Sequence, residues 1–529
     1  MTNFLIPAAL VLSFGVSAQI DKDKISTTQK FDEVITYISK KYVDDVDTDK
    51  LTDAAIVALL EELDPHSTYF PKEEVEQANR QINGSFVGIG IRFQILRDTL
   101  MVVATIPGGP SEKLGILPGD KILSIENENV AGIGLQNSQV REKLMGDKGT
   151  KVKVNVQRDQ AKHIDFVITR DNIPVNSVDA HYMVTNETGY IKLNSFSRTS
   201  MKEVDKALTE LKSKGMKNLI FDLQGNGGGL LYTAKYLADE FLSDEKLIVY
   251  SEGRSQPRSD LNAGSKGAWE NGRLIMLTDE NSASASEILS GAIQDWDRGL
   301  IVGRRTFGKG LVQRPIELTD GSQIRLTIAR YYTPSGRFIQ KSYEDKEAYE
   351  MDLINRYENG EYTSRDSIQL PDSLKHKTLI TKRTVYGGGG IMPDFFVPLD
   401  TTELSDMYTK IIRGGHMNTF CIDYTNDHRE DLLAAHPDFN SFNSNFDADQ
   451  KLIDQLIEYT KSEDEEFEYS EEDFNTSKEL IKLRIKASLA NNLWGVSEFY
   501  QIYNAKNEIL QTAIEIIESD KYKEANLAE

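Results

Sequence analysis

The sequence predicts an α/β core joined to a smaller β-rich module, with mainly helical regions at both ends. Three observations predict it. From about Tyr190 onward strand-like runs alternate with helical ones, the pattern of a layered α/β architecture. From Gly84 short β-type runs are punctuated by Gly and Pro turns. Before that stretch, and again past Thr401, apolar residues recur at helical spacing.

The N-terminal text comes first. An apolar run from Phe4 to Val16, then the small-x-small triplet Val16-Ser17-Ala18, reads as an export leader over residues 1–18. Phe31, Val34, Ile35 and Ile38, then Leu51, Ala54, Ala55, Ala58 and Leu59, predict two helices within residues 19–80. They precede "LDPHSTYF", where His66 reads as a hydrogen-bonded structural histidine.

Residues 81–170 carry the β-rich module, with "FVGIGIRFQI", "LMVVATI", "KILSIENENV", "KVKVNVQR" and "HIDFVITR" as strands. Gly88 and Gly90 stand before a strand, where glycines can leave amides free to hold an anion such as a peptide carboxylate; a tight β-turn uses glycine equally well. Residues 171–400 hold the core. "NLIFDL" reads as a buried strand, "QGNGGG" as a turn and "LLYTAKYLADEFL" as a helix; "KLIVY" and "RLIMLT" are further strands. Residues 341–385 interrupt this pattern with charge and read as a solvated insertion. Residues 401–529 are mainly helical, with the acidic run "EDEEFEYSEED" as a solvated face or linker.

Composition narrows the function. With 39% hydrophobic and 27% charged residues the chain should fold, and 529 residues suggest several folding units. A net charge of −22 without a Lys/Arg cluster argues against nucleic acid. No segment after the leader reaches 18 consecutive apolar residues, so no membrane span is expected in the mature chain. Cys421, the single cysteine, can form no internal disulfide and reads as a packed residue.

The chemistry centres on "NSASASEILSG" at 281–291. Ser284 and Glu287 have the S-x-x-E spacing of a capping box. The same position, a strand-to-helix turn with free amides, suits a nucleophile. A serine hydroxyl needs a base, and no histidine falls between 182 and 375. Lys309, between Gly308 and Gly310 in "RRTFGKGLVQ", is the nearer candidate. A lysine with the ordinary pKa of about 10.4 is charged at neutral pH, so burial must pull it down, at a cost on the order of 4 kcal/mol to the charged form. Gly303–Gly310 is also G-x-x-x-x-G-K-G, but it lacks the following Ser/Thr and a strand-like run succeeds it, against a phosphate loop. For an oxyanion, the "GNGGG" turn and the amide of Ala285 offer donors.

"FVGIGI" followed by "PGGPSEKLGILPGDKILSIENENV" resembles a PDZ domain, which implies capture of a polypeptide C-terminus as an added strand, with Gly88, Ile89 and Gly90 as the carboxylate loop. Together with "DLQGNGGG", "SASASEI" and "TFGKGLVQ" in this order, it resembles the carboxyl-terminal processing peptidases over roughly residues 30–400. That resemblance implies a ββα-spiral, crotonase-like peptidase core, a serine endopeptidase with Ser284 as nucleophile and Lys309 as general base, and Gln313 orienting the amine. It places the oxyanion between the amides of Ala285 and a glycine of 227–229, Gly228 being favoured. It implies no metal or other cofactor, and polypeptide substrates met through their C-terminal ends. Gln224 departs from the family's frequent arginine. "RYYTPSGRFIQ" and "GGGGIMPDF" resemble later segments of the family core. A catalytically silent PDZ scaffold is the alternative that intact Ser284, Lys309 and Gln313 argue against. An exported, extracytoplasmic location follows from the leader, and the apolar faces of the helical tail suggest self-association.

Overall fold

The computed structural model describes residues 22–158, 162–264 and 266–528. The leader expected over residues 1–18 lies outside them. Two sheets build the core. Strands Val178–Met183, Thr188–Leu193, Asn218–Asp222, Arg273–Thr278, Leu300–Gly303 and Phe395–Phe396 lie side by side in that order. The first pair is antiparallel and the other neighbours are parallel. Their texts, such as "NLIFD" and "RLIMLT", are almost unbroken apolar runs, as a sheet covered on both faces requires.

Alternation along these strands feeds two cores. Leu219, Phe221, Leu274 and Met276 pack with helices Ser200–Ser213, Leu231–Asp239 and Ala285–Asp295. Ile220, Ile275, Leu277 and Val302 face the other way and meet Ile509, Leu510, Ala513 and Ile517 of helix Glu508–Glu518. The far end of the tail thus returns to cover the core sheet.

The second core sheet pairs Gln323–Tyr332 antiparallel with Leu311–Glu317 and Leu247–Gly253; Gln256–Asn262 joins Leu247–Gly253 at the edge. The short strand Thr68–Phe70 also pairs with Gln323–Tyr332, which carries the neighbouring His66 from the N-terminal helices Lys22–Lys41 and Thr48–Glu61 into the core.

The β-rich module forms its own sheet in the order Ile91–Leu96, Thr99–Thr105, Lys121–Ile125, Lys151–Arg158, Lys162–Thr169, around Ile89, Val102, Ile122, Val140 and Val154. Strand Ile91–Leu96 is at its edge. Strands Ser85–Gly88 and Asp171–Pro174 pair where the chain enters and leaves the module. The outer face of the module's sheet is covered: Leu96, Met101 and Val103 pack on Ile422 of helix His416–Ala435, flanked by Gln94 Nε2 to Thr419 Oγ1 at 3.1 Å and Arg97 to Asp423 at 3.3 Å. That helix belongs to a separate helical core, in which Cys421 is fully buried with its thiol pushed up to about 12 by burial.

The insertion at 341–385 is largely solvent-facing, as its charge suggests, but it is folded and anchored. It folds as helices Lys346–Glu350 and Asp352–Glu358 and an antiparallel pair, Lys375–Lys377 with Thr384–Tyr386. Tyr349 and Arg356 are buried, because their polar ends find partners in the core.

Candidate active site

Three serines alternate in the 281–291 turn, and the fold separates them. Ser282 Oγ donates to Leu223 O and Ser286 Oγ to Asn226 O, each at 2.8 Å, and both are fully buried. They bolt the turn to the segment that follows strand Asn218–Asp222. Ser284, between them, is half-buried. It has φ 55° and ψ −111°, a conformation L-residues rarely adopt, and helix Ala285–Asp295 starts at the next residue. This strained strand-to-helix turn presents Ser284 apart from its two structural neighbours.

Lys309 is joined to Ser284 through their peptide groups. Glu287, fully buried, accepts the Ser284 N–H at 2.8 Å, as the capping spacing predicts. The same carboxylate accepts the N–H of Gly308 and of Lys309, each at 2.8 Å, and the Thr306 hydroxyl at 2.6 Å. Burial raises the Glu287 pKa, and these four donors pull it back. On the carbonyl side, the Tyr331 hydroxyl contacts Ser284 O at 3.1 Å and Lys309 O. Two buried side chains therefore fix the Ser284 turn and the lysine loop to each other.

The Lys309 ammonium donates to Gln313 Oε1 at 2.9 Å, and Gln313 Nε2 donates to the His66 carbonyl. Strand Leu311–Glu317 follows the lysine loop, as its sequence predicts, so Gln313 sits near the start of that strand. Burial holds the Lys309 amine below the ordinary lysine range and the Arg325 guanidinium adds to this, while Asp64 and Glu287 oppose it.

The glycine turn lies against Ser284. A Cβ on Gly228, where φ is 102°, would stand 2.7 Å from Ala283 O, 2.8 Å from Ser284 Cβ and 2.9 Å from Ala285 N. Only glycine lets the backbone approach so closely. The Gly228 N–H donates to Asn226 Oδ1 at 2.8 Å. Asn226 is itself buried and ties the turn down, donating to Leu193 O at 2.9 Å while its carbonyl accepts the Ala283 N–H at 3.0 Å. Ala285 opens the helix, where the first amides have no intrahelical acceptor. Gln224, at the position of the family's frequent arginine, bonds Asp222 at 3.1 Å.

Gly88, Ile89 and Gly90 belong to the other module: Gly88 ends strand Ser85–Gly88, and Ile89 and Gly90 link it to strand Ile91–Leu96. The Ile89 carbonyl turns inward to Ser111 Oγ at 2.6 Å, and Gly90 O accepts the Ile106 N–H at 2.9 Å. Because a trans peptide sets N–H opposite C=O, the Gly90 amide points away from the module core.

Comparison with known proteins places this geometry. Residues 187–346 match Peptidase family S41, residues 101–158 a PDZ domain, and residues 13–74 the activating protease CtpB N-terminal domain; residues 407–495 match a family of unknown function. The chain is 34% identical over 343 residues to carboxy-terminal processing protease CtpA of Bacillus subtilis, covering 64% of this chain and 73% of that protein. It belongs to the carboxy-terminal processing proteases. A relative from Bartonella bacilliformis, a carboxy-terminal-processing protease, is 31% identical over 420 residues, 78% of this chain and 94% of its own length. A solved photosystem II D1 C-terminal processing protease is 28% identical with a TM-score of 0.33, covering 59% of this chain and 89% of that one.

The protease is thus a serine-type peptidase of the S41 fold carrying a PDZ domain. Sequence reasoning gave no role to Tyr331, Asn226 or Tyr349. Tyr331 stood in the quoted "RYYTPSG" segment and Asn226 in "GNGGG", but Tyr331 reaches Lys309 and Ser284 across 22 and 47 residues and Asn226 reaches Leu193 across 33, and spacing carries no signal over that range.

Proposed function

We propose that the chain is an exported serine endopeptidase that cuts polypeptides near their C-termini with a Ser284–Lys309 dyad. The observation that carries this reading is the shared anchoring of the two residues. Glu287 takes both of their amides, Tyr331 contacts both of their carbonyls, and burial biases the Lys309 amine toward its neutral form. Neutral Lys309 takes the Ser284 proton as Oγ attacks the scissile carbonyl, and Gln313 orients the amine. The amides of Ala285 and of the glycine turn receive the oxyanion; Gly228 serves once its N–H is released from Asn226 Oδ1. The amine returns its proton to the leaving nitrogen, and water releases the acyl-enzyme. These residues need no metal or cofactor for these steps.

In the same reading the 88–90 loop of the PDZ domain holds the substrate carboxylate, and the exposed edge of strand Ile91–Leu96 adds the substrate tail as a strand. Residues 1–18 are the export leader, 19–80 the N-terminal helices, 81–170 the PDZ domain, 171–400 the peptidase core and 401–529 the helical region. Among the described residues no helix is long and apolar enough to cross a membrane.

Incubation with an unfolded polypeptide such as casein tests the dyad. Ser284→Ala and Lys309→Ala should each abolish cleavage while keeping the wild-type circular dichroism, and cleavage by folded Lys309→Ala at the wild-type rate overturns the base assignment. Paired peptides with free and amidated C-termini test the loop: the amidated peptide should bind more weakly, and equal affinity removes the carboxylate role.

A further inference from the structure

Gln313 uses both ends of its amide. Oε1 faces the Lys309 ammonium at 2.9 Å and Nε2 faces the His66 carbonyl. Were the amide turned over, its oxygen would face the His66 carbonyl, acceptor against acceptor, so the acceptor offered by His66 decides the orientation that serves the lysine.

The His66 segment is itself held from two sides. Asp64 accepts the backbone N–H of His66 at 2.8 Å and of Ser67 at 2.9 Å, together with Thr327 Oγ1 at 3.1 Å. On the ring, His66 Nε2 lies 2.7 Å from the Tyr349 hydroxyl, with the two rings edge to face at 5.6 Å. Tyr349 comes from the insertion and is fixed there. Lys341 Nζ sits over both the Tyr349 and Phe307 rings, at 4.2 and 4.0 Å, and pairs with Asp352 at 2.8 Å. Arg356, on the following helix, donates to Thr306 O at 2.9 Å and Phe307 O at 3.1 Å, the residues leading into the lysine loop. The insertion thus grips that loop by its backbone and reaches its amine through His66.

We propose that Tyr349 of the insertion and His66 of the N-terminal segment form a brace that positions Gln313 and, through it, Lys309. This rests on the reading of Lys309 as the base; Tyr349 and His66 are positioning residues that touch no reacting atom. Protonation states agree with it. Burial, followed by the charges of Lys309 and Lys341 and against that of Asp64, lowers the His66 pKa to about 4, while burial raises that of the Tyr349 phenol. The phenol keeps its proton and donates to a neutral imidazole.

The test is a double-mutant cycle on the full chain, with kcat, KM and thermal midpoint measured on a fluorogenic peptide substrate. Tyr349→Phe should lower kcat about 5-fold with KM within about 2-fold of wild type, the loss of one hydrogen bond read at the transition state. In a Gln313→Ala background the same change should cost less than about 2-fold, because the group it acts through is gone. His66→Phe, which keeps a ring but no acceptor, should repeat both results and serves alone should Tyr349→Phe fail to fold. Equal losses in both backgrounds, or no loss in either, overturn the brace. Turnover by Lys309→Ala overturns the dyad instead, so the two failures are distinguishable.

Discussion

Burial makes the Lys309 amine release its proton more readily in the folded protein than in the unfolded chain. Between the lowered pKa and the ordinary value of about 10.4 the unfolded state binds more protons, so stability rises with pH across that window. Below the lowered pKa both states are charged and the desolvation cost remains in full. Lys309→Met, which keeps the stem and removes the amine, should therefore abolish turnover and raise the thermal midpoint at neutral pH by about 2 °C or more. Calorimetry checks it, and an unchanged or lower midpoint contradicts a strained amine. Turnover itself should rise with pH through the lowered Lys309 pKa, since only the neutral amine accepts a proton. His66 acts in the acid range. The unfolded imidazole protonates near 6.5 and the folded one near 4, so its contribution to stability is lost as pH falls between those values. His66→Phe should flatten the decline of thermal midpoint over that interval.

The helix Ala285–Asp295 shows how one element can carry both architecture and chemistry. Every one of its residues is buried, the polar ones included, because each polar side chain has a partner outside the helix or one turn back: Ser286 on Asn226 O, Ser290 on Ser286 O, Gln294 on Met392 O and Asp295 on Arg337 at 2.6 Å. Glu287 has four donors and no spare lone pair to exchange. Glu287→Gln would turn an NH2 toward backbone amides, and should cost about 3 kcal/mol of stability and slow turnover together, measured by denaturant titration and peptide assay. An unaltered midpoint would contradict this knot of donors. The apolar face of this helix and the serine at its start were legible in the sequence, because both are local: a period of 3.6 and a motif of five residues. The capping reading of S-x-x-E is seen in the bond from the Ser284 amide to Glu287, at the same helix start that the nucleophile reading uses. What could not be read was the reach of Glu287 across 22 residues to Lys309, of Tyr331 across 47 to Ser284, and of His66 across 283 to Tyr349. Such pairings are set by sheet order, and nothing in spacing or composition encodes it.

At the scale of the molecule, the helical region is more than an appendage. Its helix His416–Ala435 covers the outer face of the PDZ sheet through Ile422, against Leu96, Met101 and Val103. Ile422→Asp would place a charge in that apolar contact. It should leave peptidase folding intact while speeding hydrogen exchange in strands Ile91–Leu96 and Thr99–Thr105, and unchanged exchange there would show that the contact does not hold the domain.

The return of helix Glu508–Glu518 to the core sheet has a temporal side. Leu274, in the middle of that sheet, shares hydrogen bonds in both directions with the hydroxyl of Tyr522, 248 residues later in the chain. One side of that sheet is covered by chain 248 residues downstream of Leu274, which closes a very long loop. Contacts of such long sequence separation close late, so this helix should be among the last elements to dock when the protein refolds.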